Sequence, residues 1–290
     1  MVGSANADTL VSLAALPAPG ETVLGTSLGR NPGGKGLNQA VAAARMGVRV
    51  VMCGAVGDDA DGRTLRSVMA DEDVDDSAVV TSTGTPTGSA HVYALPGAEN
   101  SIVVAPGANL TITPSHAAAS VARAGVVLVQ CEVPVEAVEA ALRAGRSRGA
   151  VTILNAAPVT DRVAALLPHA DVVIVNESEA AALGGAAKIA SAGPSTVVVT
   201  RGGAGTELHR GGDVVAVPAV RVDPVDTTGA GDAFCGAYAA ARAAGLDDVA
   251  AVRRGNAAGA LATTAWGAQG AQLSVGAVDK VMGQGFVAGS

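Results

Sequence analysis

The most chemically pointed segment of the chain is Asp226-Thr227-Thr228-Gly229-Ala230-Gly231-Asp232, placed just ahead of an apolar run. Glycines at a helix start let backbone N–H groups approach an anion closely, and the helix dipole adds positive potential there. Thr228 is able to cap such a helix, so Asp232 is not needed for that purpose. A carboxylate at this place can take a proton from an alcohol held beside a bound phosphate. The plain alternative is a glycine-rich turn with an acid that complements the dipole.

Four further segments carry polar groups in suggestive patterns. Gly33-Gly34-Lys35-Gly36-Leu37-Asn38-Gln39 lacks the hydroxyl residue after the lysine that a Walker A loop requires. It reads either as a turn before a helix or as a loop whose backbone hugs a polyhydroxylated ligand, with Asn38 donating and accepting. Asn6-Ala7-Asp8 could bind vicinal hydroxyls, although a surface turn is the simpler local reading. In Asn176-Glu177-Ser178-Glu179, the first and last residues share a face if a helix opens here. Such oxygen ligands suit Mg²⁺ through water, and the same spacing makes a capping box; both readings can hold together. Thr200-Arg201-Gly202-Gly203-Ala204-Gly205 follows a valine-rich run and could offer N–H groups and Arg201 to phosphates. His91, His116, His169 and His209 show no ligand or triad spacing and read as surface or packing residues.

The elements that must position these groups follow from composition and periodicity. The 290 residues suffice for one large domain, with or without a small appendage. Hydrophobic residues make up 49% and charged residues 16%, with very few aromatics, which suits valine-rich buried strands under alanine-rich helices. A net charge of -7 excludes a uniform basic face for nucleic acid, so an anionic nucleotide needs local positive potential. Cys53, Cys131 and Cys235 are far apart, which fits buried small residues in a reducing cytoplasm. The start of the chain does not read as a signal peptide, and no apolar run is long enough to predict a membrane span. Short strands are predicted at Thr22–Ser27, His91–Leu95 and Ser101–Ala105, a helix over Asn38–Met46, and a buried strand over Val48–Cys53. Strands at Val126–Gln130, Val151–Asn155, Val172–Asn176 and Thr196–Thr200, with helical segments such as Val135–Arg146 between them, predict a doubly wound, mostly parallel α/β sheet flanked by helices. Helices are read over Gly229–Gly245 and Asp248–Ala265. Ligands bind past the carboxyl ends of such strands, and Gln130-Cys131-Glu132, Asn155, Asn176-Glu177 and Thr200-Arg201-Gly202 all stand there.

Taken in order, these motifs resemble the ribokinase family of sugar kinases, within the wider PfkB-type group. The resemblance runs through Gly3–Asp8, Pro19-Gly20-Glu21-Thr22, Gly33–Ala40, Gly57-Asp58-Asp59, Gly97-Ala98-Glu99-Asn100, Asn155-Ala156-Ala157-Pro158, Asn176–Ala180 and Asp226–Asp232. It implies one ribokinase-like domain over 1–290 with a small β-sheet lid from about 9–30 and 87–106, through which members often dimerise. It further implies ATP-dependent phosphorylation of a primary hydroxyl of ribose or a similar small sugar. Asp232 would be the base, and the N–H groups of Gly229, Ala230 and Gly231 the anion hole. Asn6, Asp8, Gly34, Lys35, Gly36, Leu37, Asn38 and Glu132 would bind the sugar. Asn176, Thr200, Arg201, Gly202, Gly203, Ala204, Gly205 and Asn256 would contact the nucleotide, together with Gly231 and Asp232. Glu179 would face Mg²⁺ through water. A potassium-type cation would sit by Asp226, Thr228, Ala262, Ala265, Gly267 and Ser274.

Three departures from the family pattern stand out. Only Met1 and Val2 precede Gly3 where the family has most of a strand, so the sheet is expected to be weak there. The stretch Gly184–Pro194 is short. Gly267-Ala268-Gln269-Gly270-Ala271-Gln272 doubles a tripeptide, and Ala265 stands where the family pattern has Arg. Other readings are a nucleoside kinase, for which the lid offers only Tyr93 as an aromatic partner, and a non-catalytic sugar-binding protein on the same fold. A nucleotide-dependent oxidoreductase would need a Gly-x-Gly-x-x-Gly after the first strand, which is missing.

Overall fold

The computed structural model describes residues 1–96, 100–270 and 273–284. Gly97-Ala98-Glu99 of the motif above and Ala271-Gln272 of the doubled tripeptide lie outside the described residues. Strand β1 (Asn6–Ser12) is followed by β2 (Thr26–Gly33), and a glycine turn opens helix α1 (Lys35–Arg45). Next come β3 (Val50–Gly57), α2 (Ala60–Asp71), β4 (Val74–Ser82), β5 (Gly88–Ala94), β6 (Asn100–Ala105) and α3 (Pro114–Ser120). Strand and helix then alternate through β7 (Val126–Val129), α4 (Val135–Ser147), β8 (Val151–Asn155), β9 (Val172–Asn176), α5 (Glu177–Ala182), α6 (Ala186–Ser191) and β10 (Thr196–Thr200). A hairpin of β11 (Thr206–Arg210) and β12 (Asp213–Val217) precedes α7 (Ala230–Ala243), α8 (Asp248–Ala262) and α9 (Val275–Gln284).

The large sheet has the order β12-β11-β10-β9-β8-β7, parallel from β10 to β7 and antiparallel at the hairpin. Alternation along its strands feeds two cores. Val127, Val129, Leu154 and Val173 point to one face, beneath Ala137, Val138, Ala141 and Leu142 of α4. Leu128, Ile153, Val172 and Ile174 point to the other, beneath Phe234 and Tyr238 of α7 and Val252 of α8. Strands buried on both sides read as continuous apolar runs, which is why they were visible in sequence. β3 and β4 form a parallel pair, joined to β7 by Val2, which bridges to Cys53 and to Val129. The join is one residue wide. Beside it a cavity of about 690 Å³ opens between Val50–Val51 and Gly125–Val126.

A second, four-stranded sheet has the order β2-β1-β5-β6, and here the sequence reading needs correction. The strand expected at Thr22–Ser27 runs instead from Thr26 to Gly33. Residues before it are held in a turn, with the Glu21 N–H donating to the Ala18 carbonyl at 2.9 Å. β2 contains Gly29 and Pro32 and is an edge strand, where proline is tolerated. Asn6-Ala7-Asp8 is not a surface turn; it opens β1 between two partner strands, with Asn6 buried. Helix α1 begins at Lys35 rather than Asn38, and α8 ends at Ala262 rather than Ala265.

Helices α1 and α7 cross at very short range. A Cβ placed on Gly236 would lie 2.6 Å from both the Ala42 Cβ and the Gln39 carbonyl oxygen. Small residues at this crossing let the two backbones touch and bring α1 side chains onto the first turn of α7. Gly236→Ala is therefore expected to force the helices apart and destabilise the fold by about 1–3 kcal/mol, the usual range for overpacking. Chemical-denaturation curves measure this, and an unchanged midpoint would contradict it.

Candidate active site

At the N-terminus of α7 the backbone at Gly229 is left-handed, with φ 76°, and an added Cβ would strike Ala268 Cα at 2.5 Å. Both facts require glycine. The helix has no side-chain cap: Thr228 does not serve as one, since its hydroxyl and N–H both donate to Asp226 Oδ1, at 2.7 and 2.9 Å. The Ala230 N–H donates to the Thr227 carbonyl at 3.2 Å. Gly231 faces open space.

Asp232, only 8% exposed, sits one residue further on. Asn38 donates to its Oδ2 at 3.0 Å and Gln39 to its Oδ1 at 2.9 Å. These N–H donors offset the desolvation of a buried carboxylate. Asp232 also raises the pKa of the nearby Lys35 ammonium, with further help from Glu132 and Glu179 against burial. Lys35 thus stays a cation. Lys35, Asn176, Glu179, Thr200, Gly231 and Asp232 all line one cleft of about 130 Å³ past the strand ends.

Asn176 and Glu179 form a reciprocal capping box at the start of α5. Each side chain accepts from the other residue's N–H at 2.8 Å. Glu179 uses one carboxylate oxygen for this and lines the cleft. Among the described residues, no three His, Cys, Asp or Glu side chains cluster as a metal cage. The Glu179 carboxylate at the cleft fits Mg²⁺ held through water and substrate phosphates, its usual mode. Arg201, Gly202, Gly203, Ala204, Gly205 and Asn256 lie outside this cleft. Arg201 is paired with Glu177 at 3.1 Å and Glu207 at 2.7 Å. Asn256 accepts from the Thr206 hydroxyl at 2.6 Å, which ties α8 to the end of the Arg201–Gly205 turn.

Asp226 Oδ2 accepts from the Gly267 N–H at 2.9 Å, so this carboxylate pins the loop after α8. Burial pushes its pKa up, but the donors from Gly267 and Thr228 outweigh this and hold it below the usual value. Asp226, Thr228 and Gly267 therefore converge. Ala262 closes α8, Ala265 lies in the loop that follows, and Ser274 caps α9 through the Ala277 N–H at 3.2 Å.

The remaining candidate residues lie on β1, beside Glu132 and in the turn into α1, outside the lining of that cleft except for Lys35. Gly33 leaves no room for a Cβ, which would fall 1.9 Å from Asp8 Oδ2, and one on Gly36 would fall 2.5 Å from the Ser4 nitrogen. Glu132 accepts from the Ser4 hydroxyl at 2.5 Å and the Lys35 N–H at 3.0 Å. Asn6 Oδ1 accepts from Asn109 at 2.7 Å. Asp8 Oδ1 is buried without a partner. Burial first, then the charge of Glu132, push the Asp8 carboxyl up to about 6, against the Ala90 N–H. An orphaned, desolvated carboxylate oxygen beside close-packed glycines fits a ligand that brings its own hydroxyls. Sequence reading had not singled out Gln39, Asn109 or Gln269 as site residues. Gln39 was legible in principle, being a second amide beside Asn38 in an otherwise apolar helix face. Asn109 and Gln269 carry no local signal. Burial raises the pKa of all three thiols, Cys131 to about 12, so none is poised as a nucleophile.

A family model described as pfkB family carbohydrate kinase matches residues 1–274. The chain belongs to the pfkB family of carbohydrate kinases. It is 38% identical to a ribokinase of Bacillus subtilis, over 97% of this chain and 98% of that protein. It is 35% identical to a ribokinase of Haemophilus influenzae, over 93% of each. Its fold matches that of Arabidopsis thaliana ribokinase complexed with ribose and ATP, with a TM-score of 0.89, 30% identity and 97% of both chains covered. The pfkB-family fold expected from the motifs is thus the fold found. Among the described residues, no helix is long and apolar enough to cross a membrane.

Asp8 yields a pH prediction. Its folded pKa of about 6 exceeds the unfolded 3.8, so the folded state holds the proton more tightly and stability from this group is lost as pH rises through 6. Asp8→Asn is expected to stabilise the protein by about 1–3 kcal/mol at pH 7–8, the upper end following from about 1.4 kcal/mol per unit. The gain should vanish near pH 4. Urea melts across this range measure it, and a pH-independent difference would contradict the assignment.

Proposed function

We propose that the protein transfers the γ-phosphate of ATP to the primary hydroxyl of ribose, giving ribose 5-phosphate. The observation that carries this reading is Asp232, a buried carboxylate held by two amides at the rim of a glycine-rich helix start. In this scheme the sugar hydroxyl oxygen attacks the γ-phosphorus and its proton passes to Asp232. The bond from the γ-phosphorus to the β-phosphate bridging oxygen breaks, and ADP leaves. The N–H groups of Gly229 and Gly231, joined by that of Ala230 when it turns from Thr227, face the developing phosphate charge, and Lys35 adds a fixed cation. Asn6, Asp8, Glu132 and the Gly34–Asn38 turn hold the sugar. Asn176 and Thr200 hold the phosphate side, and the Arg201–Gly205 turn with Asn256 holds the nucleoside end. The likeness to ribokinases, one of them complexed with ribose and ATP, supports this substrate pair.

Glu179 would hold Mg²⁺ through water beside the phosphates, where the ion would supply charge neutralisation. A potassium-type ion suits the hard oxygen donors of the Asp226–Thr228 turn and the carbonyls of the loop around Gly267, where it would steady the anion-binding turn. The four-stranded sheet acts as a lid over the sugar. Its edge strand β6 exposes Ile102, Val103 and Val104 by 55, 57 and 47%. An exposed apolar edge invites a partner, and a second copy of the chain covers it in a homodimer. The site of action is the cytoplasm, where both substrates occur.

A coupled ADP-release assay over ribose, deoxyribose, fructose, adenosine and pseudouridine, with and without potassium, tests this. Turnover should be highest with ribose and rise with potassium; turnover with none of them removes the kinase reading. Asp232→Asn is expected to lower kcat by about 10²–10⁴-fold, the range for general-base groups, with ATP binding retained. Undiminished activity would take the base role from Asp232.

A further inference from the structure

Gln39 stands on α1 immediately after Asn38 and is fully buried, so it reaches neither sugar nor nucleotide. Its side chain nevertheless ends on the candidate base. Nε2 donates to Asp232 Oδ1 at 2.9 Å and to Asn155 Oδ1 at 3.0 Å, while Oε1 accepts from Gln130 Nε2 at 2.6 Å. The direction of this chain of amides is forced. Asn155 Nδ2 donates to the Ile174 carbonyl at 3.2 Å, so Asn155 presents its oxygen to Gln39. Asp232 as a carboxylate only accepts. Gln39 must therefore offer N–H on that side and its carbonyl to Gln130. A flipped Gln39 would set oxygen against both Asn155 and Asp232 and leave two NH₂ groups facing each other.

On the far side of the carboxylate, Asn38 donates to Oδ2 at 3.0 Å and accepts from Gln269 Nε2 at 2.9 Å. Each Asp232 oxygen thus receives one N–H and keeps a lone pair. With both oxygens tethered, the carboxylate plane cannot rotate, and the free lone pair keeps one aim.

We propose that Gln39 is a positioning residue for Asp232, with Gln130 and Asn155 fixing its amide, so that a free lone pair of the carboxylate stays aimed at the acceptor hydroxyl. This rests on the reading of Asp232 as the base. Gln39 acts through Asp232 and touches no reactant. Partners that orient a reactive ligand or base from behind are typically worth about 10–100-fold.

The experiment is a double-mutant cycle of Gln39→Met and Asp232→Asn, in single-turnover and steady-state kinetics with sugar and ATP, with Tm measured in parallel. Gln39→Met keeps length and removes the donors. It is expected to lower kcat by about 10–100-fold with both KM values within about twofold. In the Asp232→Asn background it should change the residual rate by less than about twofold, because the group it positions is gone. Equal losses in both backgrounds, or a lowered Tm with kcat per folded molecule unchanged, overturn the proposal. Should Gln39→Met fail to fold, Gln130→Met carries the same test one step removed, with an expected loss of about 3–10-fold in kcat that disappears without Asp232. If Asp232→Asn itself retains full activity, the base reading fails. If Asp232→Asn is inactive while both glutamine variants are unimpaired, this inference alone fails.

Discussion

The close crossing of α1 over α7 is the constraint on which the rest of the site depends. Gly236 stands one helical turn after Asp232, and Ala42 and Ala43 stand one turn after Asn38 and Gln39. Residues four apart share a helix face. The contact that lets the backbones meet is therefore the contact that delivers two amides to the carboxylate. A carboxylate buried without donors is strongly unfavourable and would take up a proton. A helix crossing opened by one larger side chain would thus disturb the aim of Asp232 as well as the core.

Charge is the second constraint. Glu132, Glu179 and Asp232 act on Lys35, and Asp8 feels the charges of Glu132 and Asp232, in a chain whose net charge is -7. Such a cluster repels a nucleotide unless positive potential is concentrated where the phosphates lie. Lys35 and the uncapped start of α7 are placed to do this, and the glycines there let N–H groups rather than side chains form the wall. The burden of like charge falls on Asp8. It has an oxygen without a partner, whereas Glu132 is met by the Ser4 hydroxyl and the Lys35 N–H, and Asp232 by two amides. A ligand hydroxyl donating to Asp8 would relieve the cost that folding leaves there.

What the sequence revealed and what it hid divide along physical lines. The valine-rich strands β7 to β10 were legible because they are buried on both faces and bounded by turns. The start of α7 was legible because glycine with an acid in that order has few uses. The small sheet was harder: β2 is exposed along most of its length and interrupted by Gly29 and Pro32, so only pairing with β1 makes it a strand. Asn6 and Asp8 looked like a turn because two polar residues about one alanine carry no strand signal of their own. Long-range amide contacts were hidden altogether, since Gln39 meets Asp232 across 193 positions and Gln269 meets Asn38 across 231. No local pattern encodes such a pairing.

These two walls also explain why the reaction is easier to read than the sugar. The phosphate wall, as proposed, would consist of backbone at Gly229 and Gly231 and of groups clamped by α1, so few residue changes would preserve it. The sugar wall, as proposed, would be made of side chains from β1, the Glu132 loop and the turn into α1, beside a sheet whose outer strands are open to solvent. Gly36 packs against the Ser4 backbone, and Gly33 and Gly88 make room for the side chains of Asp8, Asn6 and Asn109, an added Cβ at each falling within 2.5 Å of another atom. Exchanges at Asn6 or Asp8 would alter which hydroxyls are matched without disturbing the α1–α7 crossing, because their contacts run to Asn109 and β5 rather than to α7. Under the proposed assignment, substrate choice and phosphoryl transfer would thus be carried by separate parts of the chain that adjoin at Lys35 and Asn38, and specificity could drift while the chemistry stays fixed.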